Sequence, residues 1–227
     1  MIAVVTGGGR GIGAAVAMRF ARRGAKVVIA ARTDAELATT EQTIVAACGA
    51  DAVRRVVCDV GDANSVSRLR DAANGFFGAA TVLVNNAGVA PRAWAHEMDE
   101  ATWDATVDSN LKGTWLCTRE FLPAMLERGS GRIVNVASIS STLGTPRLSA
   151  YCAAKWGVVG FTKSVAEETR AAGVQVMAVL PGSVDTDMLK GSGFAPMMTA
   201  DDVAKTIEYL AFEAPAAMTG SAVEMFG

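Results

Sequence analysis

"TGGGRGIG", residues 6–13, follows the β-branched run "IAVVT" (2–6) and leads into an apolar-periodic stretch that continues to about residue 24. Spaced glycines alone are common in flexible turns. Between a strand and a helix at the start of a βαβ unit they acquire a specific use. Gly7 permits a tight turn, Gly11 lets backbone approach a pyrophosphate, and Gly13 lets the helix pack closely on the strand. The helix start then offers free N–H groups and a positive dipole end to phosphate. Gly9, Arg10 and Ile12 complete this candidate dinucleotide cradle.

The rest of the chain repeats the same alternation. Strands are expected near 2–6, 26–30, 53–58, 81–85, 131–137, 174–180 and 221–225, and helices near 11–24, 34–47, 62–77, 99–128, 149–172 and 201–213. Several strands are almost wholly apolar, as a parallel sheet covered on both faces requires. Alternating βα units imply right-handed crossovers, so the expected fold is α/β: a doubly wound, seven-stranded parallel sheet of the Rossmann type. No repeat or Pro/Gly/Ser-rich linker divides residues 1–227, so one domain is expected. The stretch "GSVDTDMLKGSGFAPMMTA" (182–200) has no clear element and is read as a short lid.

Bulk properties narrow the partners. A net charge of -2 and a pI near 5.5 give no footing for nucleic acid. The hydrophobic share of 51% and mean hydropathy of +0.28 are high. Yet no apolar run reaches the roughly 18 residues of a membrane span, so the excess suits a doubly covered sheet and a subunit interface. Cys48, Cys58, Cys117 and Cys152 are widely spaced and His96 is the only histidine. That argues against a zinc site or disulfide framework and for a reducing cytoplasm. The start "IAVVTGGG" shows no basic region followed by an apolar leader, so no export signal is expected.

The end of the second strand bears on which dinucleotide is bound. An acidic residue there would accept hydrogen bonds from the ribose 2′-OH. This chain has "AARTD", with Arg32 in that place, Asp34 slightly later, and Arg10 in the glycine turn. Two guanidiniums suit a 2′-phosphate, so NADP(H) is favoured, with NAD(H) possible.

"SAYCAAKWG" (149–157) places Tyr151 and Lys155 four residues apart, on one face of a helix. Taken with the glycine turn, the pair resembles the catalytic motif of the short-chain dehydrogenase/reductase family. The resemblance runs from Met1 to about Gly227. It includes Thr6 to Gly13, Asp59-Val60, Asn85-Asn86-Ala87-Gly88, Asn110 in "DSNLKG", Ser138 in "VNVASIS", the Tyr151–Lys155 pair, and Pro181-Gly182 followed by Thr186. Departures are a short lid and the ending "SAVEMFG", where many relatives end near V-D-G-G.

The resemblance implies hydride transfer between a nicotinamide and a ketone or secondary alcohol, as in 3-oxoacyl thioester reductases. It implies that Asp59 and Val60 meet adenine, and that Asn86, Ala87 and Gly88 lie along the cofactor. Pro181, Gly182, Val184 and Thr186 would lie near the nicotinamide. Tyr151 would serve as general acid or base, Lys155 would bind the ribose, and Asn110 would hold a water. Ser138 would polarise the substrate oxygen; Ser140 and Ser141 are nearby competitors, and Ser138 is preferred because it closes the strand. Dimers or tetramers through helices 99–128 and 149–172 are also implied. Bringing a phenol from about 10 toward 7 requires roughly 4 kcal/mol, and an ammonium some 4 Å away supplies about that at an effective dielectric near 20. Lys155, helped by the positive nicotinamide of the oxidised complex, is therefore expected to account for most of that lowering of Tyr151. Apolar side chains Ile139, Leu143, Leu148, Val184, Met188, Leu189, Phe194, Met197, Met198 and Trp94 are expected around the substrate. Arg92 and Arg147 are read as solvated, and as candidates for an acidic group.

Overall fold

A strand covered on both faces needs no polar side, and the apolar runs of this chain fold accordingly. The computed structural model describes Met1–Gly227. Its elements are β1 (Ile2–Thr6), α1 (Gly11–Arg22), β2 (Lys26–Ala31), α2 (Asp34–Cys48), β3 (Val53–Val57), α3 (Ala63–Phe77), β4 (Val82–Asn85), α4 (Glu100–Val107), α5 (Gly113–Arg128), β5 (Gly131–Val136), α6 (Ser149–Thr169), β6 (Val174–Pro181), β7 (Val184–Asp185), β8 (Met198–Thr199), α7 (Ala200–Phe212) and β9 (Ala222–Met225). Seven strands form one sheet in the order β3-β2-β1-β4-β5-β6-β9, each pair parallel. Strand order reverses between β1 and β4, and the crevice beyond their carboxyl ends is where such sheets bind ligands.

Alternate side chains of each strand enter opposite layers. Ala3, Val5, Val27 and Ile29 pack with Phe20, Leu37, Ile44 and Ile207 of α1, α2 and α7. Val4, Val28, Leu83 and Ile133 pack with Leu69, Leu116, Phe121 and Val165 of α3, α5 and α6. Burying each such side chain is worth about 1.5–3 kcal/mol. Within this apolar sheet, β4 and β5 place Asn85 opposite Asn135. Asn85 donates to Asn135 Oδ1 at 2.8 Å, and Asn135 donates to Thr162 at 2.9 Å, tying α6 to the sheet.

Two expectations change. The helix expected over 99–128 is α4 and α5 joined by a wider π-type turn at Asp108–Lys112. The cause is local: the Asn110 amide donates to the carbonyls of Thr106 (2.9 Å) and Val89 (2.8 Å), competing with the regular ladder. The 182–200 stretch is also more ordered than its composition suggests. β7 pairs with β8, Asp187–Leu189 forms a helical turn, and Thr199 opens α7 with a reciprocal cap shared with Asp202. No helix is long and apolar enough to cross a membrane.

Candidate active site

The glycine turn is shaped by sterics that only glycine satisfies. Gly7 and Gly11 have φ of 64° and 55°, and a Cβ on Gly13 would lie 2.2 Å from the Gly7 carbonyl oxygen. Asn86 braces the turn, its amide donating to the carbonyls of Thr6 (3.0 Å) and Gly7 (3.2 Å). The Thr6 hydroxyl in turn accepts from the backbone N–H groups of Asn86 and Ala87. Gly7, Gly9, Arg10, Gly11 and Ile12 thus line an open cleft with Arg32, Asp59, Val60, Asn86, Ala87, Gly88 and Thr186. Gly13 sits beneath it, as helix packing requires.

The charges around this cleft differ from the simple two-arginine picture. Asp34 is drawn away by Arg55 at 3.0 Å and does not line the cleft. Arg32 does, exposed and without a carboxylate partner. Arg10 is already engaged, 2.9 Å from Asp187 and 3.5 Å from Glu36. Both carboxylates border the cleft, and neither has a local sequence signal, because Asp187 lies 177 positions from Arg10.

A second cavity adjoins the first, sharing Ile12, Asn86, Gly88, Thr186 and Met188. The ends of β5 and β6 and the start of α6 bring Ser138, Tyr151, Lys155, Pro181, Gly182 and Val184 into its wall. Ser138 closes β5; its hydroxyl accepts from the Ser140 N–H at 3.1 Å and reaches the Pro181 carbonyl at 3.5 Å, close enough to the Tyr151 phenol to bias its proton. Ser140 instead meets Thr145 at 3.2 Å, and Ser141 does not line the cavity. Tyr151 and Lys155 share one face of α6, with the Lys155 nitrogen 5.6 Å from the centre of the tyrosine ring. Asn110 is fully buried, with its Oδ1 free of any hydrogen-bond partner. That oxygen and the Lys155 nitrogen border the same space over Gly88, where a Cβ would lie 2.3 Å from one and 3.6 Å from the other.

Burial opposes the lowering of Tyr151 that Lys155 and the nicotinamide are expected to provide. Burial raises the Tyr151 phenol above its ordinary value, opposed by the Ser138 hydroxyl and more weakly by the Arg92 charge. Burial also lowers Lys155 to about 8, and its ammonium donates one hydrogen bond to the Val136 carbonyl at 2.7 Å. Desolvation pushes each group toward its neutral form. Among the expected apolar neighbours, Ile139, Leu148, Met188, Leu189 and Phe194 join Val184 in the wall. Met198 is packed in the core, while Leu143, Met197 and Trp94 are exposed. Arg92 lines the cavity, whereas Arg147 lies over the Trp94 ring.

A doubly wound sheet whose crevice joins a glycine turn to a buried Ser–Tyr–Lys cluster belongs to an oxidoreductase acting on CH–OH and C=O groups, and known proteins place it more narrowly. The chain belongs to the short-chain dehydrogenase family, whose model matches residues 1–194. It is 38% identical over 239 residues to a 3-oxoacyl-[acyl-carrier-protein] reductase of Synechocystis sp., covering 100% of this chain and 95% of that one. It is 38% identical over 250 residues to cis-4-hydroxycyclohexanecarboxylate dehydrogenase of Sinomonas cyclohexanicum, with the same coverage. Among solved structures, actinorhodin polyketide ketoreductase with NADPH superposes with a TM-score of 0.93 at 32% identity, over 100% of this chain and 95% of that one.

Proposed function

We propose that the protein is an NADP(H)-dependent carbonyl reductase that interconverts a small ketone and its secondary alcohol, with Tyr151 as general acid and base. The carrying observation is that Ser138, Tyr151 and Lys155 share one cavity that is continuous with the glycine-turn cleft. The turn and Asp59 to Val60 hold the adenosine and phosphates, and Asn86 to Gly88 and Pro181 to Thr186 flank the nicotinamide. The bound cofactor supplies the hydride. Ser138 donates a hydrogen bond to the substrate oxygen, and Tyr151 delivers a proton to that oxygen as the carbonyl becomes an alkoxide. The Lys155 ammonium stabilises the tyrosinate left behind. The unpartnered Asn110 Oδ1 and the Lys155 nitrogen hold a water over Gly88 that returns the proton from solvent.

Arg32 favours the 2′-phosphate of NADP(H), since no carboxylate neutralises it and Asp34 is occupied by Arg55. The 182–200 segment covers the catalytic cavity as a lid within a single-domain chain. Exposed Trp103, Trp115 and Trp156 support a homo-oligomer contact on the α4–α6 side, which sedimentation tests. The four free thiols suit the cytoplasm. The test of the reaction is a spectrophotometric screen of ketones and alcohols with NADPH and NADH. A Tyr151→Phe variant should bind NADPH yet turn over at least 1,000-fold more slowly, within the range lost with a general acid; wild-type-like turnover would remove the tyrosine from the reaction.

A further inference from the structure

The catalytic cavity contains no carboxylate. Its only charged lining residues are two cations, Lys155 and Arg92. Lys155 donates to the Val136 carbonyl and serves Tyr151 in the proposed reaction, which leaves Arg92 as the charge with no partner. Other half-buried arginines are satisfied: Arg19 by Asp201 and Glu208, Arg54 by carbonyls and Asp51, Arg70 by Asp71 and Glu120, and Arg132 by the Leu210 carbonyl. Arg92 is half-buried with no such partner. A partly desolvated guanidinium without a counter-ion is costly unless a ligand completes it.

Its loop is held in place. Pro91 restricts the preceding backbone, and the Ala93 N–H donates to the Arg147 carbonyl at 3.1 Å. Arg147 itself adopts a left-handed φ of 65° and sets its guanidinium over the Trp94 ring, 6.0 Å from the centroid. Arg92 is thereby anchored at the wall rather than trailing in solvent. The remaining wall is mostly apolar, with Ile139, Leu148, Leu189 and Phe194.

Resting on the carbonyl reduction proposed above, we infer that the substrate is an oxo acid: a compact apolar ketone with one carboxylate, which Arg92 binds while the ketone oxygen meets Ser138 and Tyr151. A planar guanidinium matches a carboxylate in bidentate fashion, and one unpaired arginine matches one negative charge. Arg92 is a specificity-determining residue in this scheme. It takes no part in hydride or proton transfer.

The test sets oxo acids, levulinate among them, beside their methyl esters, with wild type, Arg92→Gln and Arg92→Lys. Wild type should favour each acid in kcat/KM, mainly through KM. Arg92→Gln should shrink the acid-to-ester ratio about 10- to 100-fold, the worth of a charge-assisted hydrogen bond, and Arg92→Lys should restore part of it. Equal or better use of esters by wild type, or a ratio unmoved in Arg92→Gln, overturns the inference while leaving carbonyl reduction intact. Loss of turnover on every ketone, with NADPH still bound, counts against the reductase reading instead. Calorimetry with hexanoate and the NADPH-bound protein then decides the anion site. Binding that is lost in Arg92→Gln supports it, and absence of binding to wild type overturns it.

Discussion

Lys155 is where fold stability and the proposed chemistry oppose each other, and Lys155→Met measures the conflict. The side chain is 4% exposed, and the groups facing it are the neutral Tyr151 phenol, the Val136 carbonyl and the Asn110 amide, with the Arg92 cation further along the cavity. Burial lowers it from 10.5 to about 8. The unfolded chain therefore keeps this proton up to about pH 10.5, and the folded chain only to about 8. Stability is reduced at every pH below 8 and rises between 8 and 10.5, because there the unfolded state binds more protons. The full gap is worth about 3 kcal/mol. Methionine keeps the apolar stem and removes the charge, at the loss of one hydrogen bond to the Val136 carbonyl worth about 1 kcal/mol. Cofactor-free Lys155→Met should thus be about 1–3 kcal/mol more stable near neutrality in urea unfolding. Wild type should narrow the difference from about pH 8 to about 9.5. Tyr151, raised by burial, acts in the opposite sense only above its unfolded value of 10, so the window stays below that. Equal urea midpoints near neutrality, with parallel pH profiles to about 9.5, would refute the reasoning.

Gly13→Ala places a methyl 2.2 Å from the Gly7 carbonyl oxygen and should cost about 3 kcal/mol or more in chemical unfolding, with NADPH binding weakened in a fluorescence titration. Gly75→Ala, in α3 with open space around its Cβ, should instead stabilise by roughly 0.5–1 kcal/mol. Arg32→Asp should shift the ratio of NADPH to NADH affinity at least 10-fold toward NADH, the scale of removing one charge-assisted hydrogen bond and adding one repulsion; an unchanged ratio would remove Arg32 from 2′-phosphate recognition.

The sheet was legible because period and burial coincide. A run such as "KVVIA" can only be a strand buried on two faces or a short piece of buried helix, and the flanking glycine decides between them. Each of the seven strands lies within a residue or so of its expected bounds. The break in 99–128 was hidden, since the apolar pattern there is uninterrupted and the cause is one amide capturing two carbonyls. The juxtaposition of Ser138 with Tyr151 followed from a motif, but the charge balance did not. That Arg10 meets Glu36 and Asp187, that Asp34 turns to Arg55, and that Arg92 meets no carboxylate are facts of distant chain crossings. The raised phenol likewise depends on how much water the closed fold removes, a quantity absent from four-residue spacing.

The π-type turn at Asp108–Lys112 governs phase. An α-helix advances about 100° per residue, so a surplus residue in one turn offsets everything before it from everything after. The offset lets α4 pack against α6 while α5 packs against α3 and the sheet, and it aims Asn110 inward between them. Deleting a single residue there would restore an unbroken rod and swing α4 by more than a quarter of a revolution. A length polymorphism of one codon at this point would thus be a change of shape, whatever residue it removed.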